Sequence, residues 1–231
     1  MEEERKFKAI GHIRSDFESK FGIPRQSGLV EELRSLLVFE PEYRDENALR
    51  GLEEFSHIWV IWDFSEAHRD AWSPTVRPPR LGGNERLGVF ATRSPFRPNN
   101  IGLSCVRLLE IKKDGENGPV LVLGGGDMLD GTPVFDIKPY IPYADCKPEA
   151  TAGFTGRNTD YRLKVSVSAE AEEKVKSKFN PTQYEALKGI LAEDPRPHYQ
   201  EDPERIYGFN FAGVEIKFRV CNGTARILDI E

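Results

Sequence analysis

The sequence predicts a mainly β N-terminal domain, a barrel or a sandwich, followed by a small α+β domain. Two observations carry this. Up to about residue 153, short apolar stretches are separated by Gly- and Pro-rich connections with no alternating helices, which disfavours a doubly wound sheet. After about residue 155 the texture changes to helix-forming stretches and then to a hairpin signal.

The elements follow in order. Phe7 to Arg14 roughly alternates apolar and polar residues and reads as a strand. His57 to Phe64 is almost continuously apolar, β-branched and aromatic, the composition of a strand buried on both faces. Gly88–Thr92, Ser104–Ile111 and Val120–Leu123 are further short strands, and Lys113–Pro119 is a turn between the last two. The stretches 15–30, 65–87 and 93–102 are long and irregular, and such loops are usually functional. Ser168–Phe179 has the composition of a helix; Asn180-Pro181 is the N-cap and first turn of a second one ending near Ala192. Asp194-Pro195-Arg196-Pro197 reads as a rigid loop. Val214–Val220 and Thr224–Ile230 flank Asn222-Gly223, a strong hairpin signal. The division expected is 1–153 and 154–231.

Composition narrows the function. With 231 residues, 39% hydrophobic, the chain can fill a real core. No apolar run approaches the roughly 18 residues that cross a bilayer, and Met1-Glu2-Glu3-Glu4-Arg5 has the wrong shape for a signal peptide. Cys105, Cys146 and Cys221 lie far apart, which argues against a disulfide framework and a zinc site and fits a reducing cytoplasm. The four histidines show no metal spacing. The net charge of -6 looks unpromising for a nucleic-acid partner, yet a total hides patches. Arg77, Arg80, Arg86, Arg93 and Arg97 fall within one stretch containing the single acid Glu85. Arginine suits planar, bidentate contacts, so the stretch reads as an anion site or, alternatively, as a loop laced to surface acids.

Three segments carry candidate chemistry. Thr92 to Ser104 holds Arg93 and Arg97 between Pro95 and Pro98, which make a helix improbable and leave a stiff loop able to present guanidiniums to a carboxylate or phosphate. Asp127 to Tyr140 holds three acids, Lys138 and Tyr140 on a turn, with Asp130-Gly131 at its corner, and on the extended segment leaving it. Pro24-Arg25-Gln26 is a polar insertion after an apolar pair. Gly124-Gly125-Gly126 is not a dinucleotide fingerprint, because Leu129 occupies the third glycine position and Asp130-Gly131-Thr132-Pro133 forbids the helix that must follow.

Pro24-Arg25-Gln26, Glu53–Trp59, Arg77–Gly83, the Arg93–Ser104 loop and Leu129–Tyr143, in this order, resemble the TsaA-like family. More closely they resemble the bacterial tRNA threonylcarbamoyladenosine N6-methyltransferases of TrmO type. The resemblance runs from about residue 7 to 153 and continues weakly through Asp194–Pro197. It implies a small β-barrel N-terminal domain with a small C-terminal α+β domain, binding S-adenosylmethionine outside any Rossmann fold. It implies a homodimer with the ligand near the subunit interface. The implied reaction is methyl transfer to N6 of threonylcarbamoyladenosine, 3′ of the anticodon in threonine tRNAs.

Carried over residue by residue, the implied cofactor site is Pro24, Arg25, Gln26, Arg93, the Leu103 backbone, Asp130, Gly131 and Thr132. Ser65 and Glu66 stand where relatives often have a histidine and a polar residue, so backbone contact is what they are expected to offer. The acceptor is a ureido nitrogen with a delocalised lone pair, and attack on a methyl requires proton removal and alignment. Asp136, Lys138 and Tyr140 are the expected acid/base and orienting set, with Asp136 or Asp130 as base; the alternative is Asp136 pairing with Lys138. Arg196 or Arg97 would meet the threonyl carboxylate. The competing reading is a non-catalytic adenosylmethionine- or nucleotide-binding regulatory module.

Overall fold

A computed structural model describes residues 6–78, 85–157, 162–196 and 202–231; Arg80, within the arginine stretch, and Pro197 and His198 lie outside the described residues. Its N-terminal part is a closed barrel of six strands: β1 (Gly11–Ser15), β2 (Arg34–Phe39), β3 (His57–Asp63), β6 (Ile101–Asp114), β7 (Gly118–Gly124) and β8 (Pro133–Pro139). They close in the order β1-β2-β7-β6-β3-β8, each neighbouring pair antiparallel. A two-stranded ribbon, β4 (Thr75–Val76) and β5 (Leu87–Gly88), stands off it.

Along β3 the burial alternates: Ile58, Val60 and Trp62 point into the barrel, while His57, Trp59, Ile61 and Asp63 are half-buried outside. This corrects the expectation of a strand buried on both faces. The outer row has an apolar composition because Trp59 packs against Tyr140, ring centroids 5.8 Å apart, on the barrel's surface. Inside, Trp62 reaches across β6, where a Cβ on Gly102 would lie 2.3 Å from its indole, so that position admits glycine alone.

Other expectations shift. Phe7–Arg14 yields a strand over Gly11–Ser15, and Gly88–Thr92 is mostly a 3-10 turn at Val89–Ala91, closed by Thr92 Oγ1 donating to the Val89 carbonyl at 2.9 Å. β2 was not foreseen.

The registers orient the barrel. Gly124 lies opposite both Arg34 and Arg107, and Asp63 lies opposite Ile101. Ser15, Arg34, Asp63, Ile101, Gly124 and Pro133 therefore mark one end, here the upper rim. From it spring the connections 16–33, 64–100 and 125–132.

The C-terminal part is a sheet ordered β10 (Ile206–Phe211), β11 (Val214–Cys221), β12 (Thr224–Ile230), β9 (Lys164–Val167), with helices α2 (Ala169–Lys178) and α3 (Pro181–Ala192). A capping box at Asn180 and Gln183 with Pro181 in the first turn starts α3, as the sequence predicts. Asn222 and Gly223 both adopt positive φ, 48° and 71°, as a two-residue hairpin turn requires. A short helix, α1 (Pro142–Asp145), follows β8. The core of the C-terminal part also takes in Phe17, Val30 and Leu33 from the first rim connection. Phe17 packs on Phe211 at 5.5 Å, Phe21 on Phe209 at 6.2 Å, and the Ala212 N–H donates to the Asp16 carbonyl at 3.0 Å. The appendage is thereby seated at the upper rim.

Candidate active site

All three rim connections carry residues singled out in the sequence. Pro24, Arg25 and Gln26 lie on 16–33; Ser65, Glu66 and Arg93 on 64–100; Asp130, Gly131 and Thr132 on 125–132. Leu103 is two residues into β6, and β7 stops opposite Arg107, so Ile101–Val106 has a ladder partner on the β3 side alone. Every second backbone amide and carbonyl there faces off the sheet.

A polar chain joins the barrel to the appendage. Arg93 Nη1 donates to Gln26 Oε1, Gln26 Nε2 donates to the Arg25 carbonyl, and Arg25 Nη2 donates to the Asp194 carbonyl at 3.4 Å. Asp194 in turn grips Arg196 with both carboxylate oxygens, Nε to Oδ1 at 2.8 Å and Nη2 to Oδ2 at 2.9 Å. These side chains are 6% and 12% exposed, so Arg196 is a held guanidinium and no loose surface cation. Asp194 adopts φ 48°, which turns the chain back so that its carboxylate meets the residue two further on. Lys20 Nζ donates to the Glu66 carbonyl at 2.5 Å, tying two rim connections together.

The sequence reading counted Asp127 among three acids of a candidate segment but gave it no role. Its Oδ1 accepts from Ser104 Oγ at 2.6 Å, and Ser104 Oγ accepts from the Trp62 indole N–H at 3.0 Å. The Ser27 backbone also donates to Asp127, and Gly28 N–H donates to the Gly125 carbonyl at 2.8 Å, so the Pro24–Gln26 loop is anchored over this carboxyl. Burial pushes the Asp127 carboxyl up, opposed by the Ser104 and backbone hydrogen bonds and by the nearby Arg93 charge. An acid directly after Gly124-Gly125-Gly126 was the available signal.

The Asp130–Thr132 corner is engaged with β1. Asp130, Gly131 and Thr132 N–H donate to the carbonyls of Phe17, Ile13 and Leu129, and Ser15 N–H donates to Asp130 Oδ1 at 3.0 Å. Arg14 Nη1 lies 3.8 Å from Asp130 Oδ2. Thr132 is buried, while Gly131 is exposed and lines a cleft of about 330 Å³ with His12, Arg14, Glu40 and Arg44. What the corner still offers is an Asp130 carboxylate at the rim.

Asp136 lies across Ile61 from Leu103, level with it on β3's other side, while Lys138 and Tyr140 lie further down the barrel. Asp136 lies opposite Ile61 and Lys138 opposite Trp59, and Tyr140 N–H donates to the His57 carbonyl. At about 3.3 Å per residue, Asp136 stands roughly 13 Å and Tyr140 roughly 26 Å down the barrel from Thr132. Asp136 Oδ2 pairs with Lys138 Nζ at 2.9 Å. The Tyr140 phenol is pushed up, chiefly by desolvation and then by Cys146, Cys105 and Asp145, which leaves it a hydrogen-bond donor at neutral pH. Arg97 is occupied with the Val89 and Thr92 carbonyls at 3.2 and 2.8 Å. Among the described residues no three His, Cys, Asp or Glu form a metal-ligand group, and no helix is long and apolar enough to cross a membrane.

A barrel whose rim loops bring arginine and carboxylate to one end, where an appended domain holds a further arginine, has the architecture of a barrel with its candidate ligand site at that rim. The sequence profile of the tRNA-methyltransferase O N-terminal domain matches residues 12–146, and that of the TrmO C-terminal domain matches residues 160–231. The chain belongs to the tRNA-methyltransferase O family. It is 41% identical over 229 residues to the tRNA (adenine(37)-N6)-methyltransferase of Escherichia coli K12, covering 97% of each chain. It is 41% identical to a putative S-adenosylmethionine-dependent methyltransferase, RcsF, of Pseudomonas aeruginosa, covering 96% and 95% of the two chains. The crystal structure of TrmO from P. aeruginosa superposes with a TM-score of 0.79 at 36% identity, covering 99% of this chain and 97% of that one.

Proposed function

We propose that this protein transfers a methyl group from S-adenosylmethionine to N6 of threonylcarbamoyladenosine at position 37, 3′ of the anticodon, in threonine tRNAs. The coarser part, an S-adenosylmethionine-dependent methyltransferase acting on adenine 37 of tRNA, follows from family membership. The observation that supports the finer part is the polar chain Arg93–Gln26–Arg25–Asp194–Arg196, which links the cofactor rim to a held guanidinium in the appendage. A bare adenine carries no carboxylate, whereas a threonylcarbamoyl group does, and a fork-shaped cation beside the cofactor suits it.

The rim fits the cofactor chemically. Arg93 and Arg25 suit its carboxylate, the Asp130 carboxylate suits a ribose hydroxyl, and the unpaired side of Ile101–Val106, including Leu103, suits backbone reading of an adenine. The exposed segment Ser65-Glu66 lies on the same rim connection as Arg93. When bound, S-adenosylmethionine supplies an electrophilic methyl on a sulfonium. This chain's residues have the remaining tasks: Gln26 and Arg93 orient, the appendage excludes water, and a carboxylate takes the N6 proton. Asp130 is already at the rim. Asp136, with Lys138 as its partner and Tyr140 as a donor, reaches a reacting centre if a second copy brings its own rim over the outer face of β3, β6 and β8.

A homodimer is therefore part of the proposal. Ile101, Leu103 and Leu109 expose 37%, 56% and 37% of their surface on that face, the apolar area an isologous contact would cover. Residues 1–153 form the methyl-transfer domain in this reading, and 154–231 grip tRNA in the cytoplasm. The test incubates the protein with labelled S-adenosylmethionine and tRNA from cells with and without the threonylcarbamoyl modification. Label entering only the modified pool supports the reading; equal labelling of both refutes the finer part.

A further inference from the structure

Two aromatic rings stand in water beside the rim. Trp72 and Phe90 are 52% and 69% exposed, with ring centroids 6.1 Å apart and 32° between planes. The fold holds them together deliberately. β4 and β5 pair through Thr75–Gly88 and Val76–Leu87, and Val89 N–H donates to the Pro74 carbonyl at 2.9 Å. The ribbon thus fixes the segment entering β4 beside the segment leaving β5.

One guanidinium faces the pair, and two more sit on the ribbon. Arg97 lies 5.6 Å from the Phe90 ring, pinned by the Val89 and Thr92 carbonyls. Arg86 Nη1 donates to Thr75 Oγ1 at 3.1 Å, and Arg77 is exposed at the far end of β4. Arg93, at the cofactor rim, is three residues beyond Phe90.

We propose that Trp72 and Phe90 form a stacking platform for an unpaired nucleotide of the anticodon loop, adjacent to the nucleotide being methylated; this rests on the function proposed above. A base lifted out of its loop has a π face that either ring can cover whatever its identity, and the flanking arginines meet the neighbouring phosphates. The platform also accounts for RNA binding by a chain of net charge -6, since stacking needs few phosphate contacts. A second copy of the chain is the less suitable occupant, because it would bring the same cationic ribbon against this one.

The test measures equilibrium binding of a modified anticodon stem-loop to full-length Trp72→Ala and Phe90→Ala by fluorescence anisotropy. Each variant should weaken binding about tenfold, with Trp72→Phe restoring most of the loss. The slope of log affinity against log salt should stay that of the wild type, whereas Arg77→Ala should flatten it. Affinity for S-adenosylmethionine should not change. Wild-type affinity in both alanine variants overturns the platform, and so does a dimer that either variant converts to monomer, which would make the patch a subunit contact. A wild-type protein that binds no stem-loop at low salt overturns the parent reading together with the platform, and is told apart by occurring before any substitution.

Discussion

Replacing Asp194 by alanine removes the bidentate carboxylate from a guanidinium that is 12% exposed. Three hydrogen bonds disappear with it: Arg196 Nε at 2.8 Å, Arg196 Nη2 at 2.9 Å and the Arg196 backbone N–H at 3.3 Å. Stripping one partner from a buried pair costs about 3–5 kcal/mol, because the remaining charge stays desolvated. Alanine at φ 48° adds about 1 kcal/mol of backbone strain that aspartate tolerates better. For a chain of this size, about 3–5 kcal/mol lowers the melting midpoint by roughly 6–20 °C. Asp194→Asn keeps the turn and one acceptor and should lose only about 1.5–3 kcal/mol. Asp194→Ala/Arg196→Met removes the guanidinium that has lost this pairing and should be no less stable than Asp194→Ala alone. Urea unfolding of the three variants, followed in parallel by methylation of modified tRNA, checks the reasoning. An Asp194→Ala protein within 1 kcal/mol of wild type would refute it, since the Asp194–Arg196 pair would then contribute no more than a solvated one (about 1 kcal/mol being the ceiling for an exposed pair).

Arg93→Ala should weaken S-adenosylmethionine binding by about 1.5–3 kcal/mol in calorimetry, the range for a hydrogen bond to a charged group. Sedimentation of the wild type at micromolar concentration should give twice the chain mass; a monomer that still methylates tRNA would contradict the covered β3–β6–β8 face. Because burial raises the Asp127 carboxyl, the folded state holds that proton more tightly than the unfolded state does. Wild type should therefore gain stability relative to Asp127→Asn as pH falls through the raised pKa, a difference readable from urea midpoints between pH 7 and 4. Arg196→Ala should slow turnover of modified tRNA far more than it weakens bulk tRNA binding; an unchanged rate would place Arg196 outside the substrate site.

The hairpin at Asn222-Gly223 and the start of α3 at Asn180-Pro181 were legible because each is set by local backbone chemistry. β2 was not, since Arg34–Phe39 is six residues long and its inward Ser35 breaks the apolar signature. His57–Phe64 misled for a physical reason: Trp59 and Tyr140 shield each other on the barrel's outside, so an apolar run occurs on a half-wet face. Most rim residues were named correctly as loops, though Leu103 lies in β6 and not in the Thr92–Ser104 loop, and their convergence depends on strand order. Nothing in the sequence places Arg25 beside Asp194, because that contact needs Phe17, Val30 and Leu33 packed into the C-terminal core. Trp72 and Phe90 were missed because their juxtaposition depends on the β4–β5 pairing.

Amide hydrogen exchange with and without S-adenosylmethionine tests most directly that the upper rim is the active site. Protection should appear at 24–28, 92–104 and 125–132, the connections that the barrel registers bring to one end. The β6–β7 turn at 114–118, at the opposite end, should exchange at its ligand-free rate. Protection confined to that turn or to β8 around Lys138, with the rim unchanged, would contradict the account.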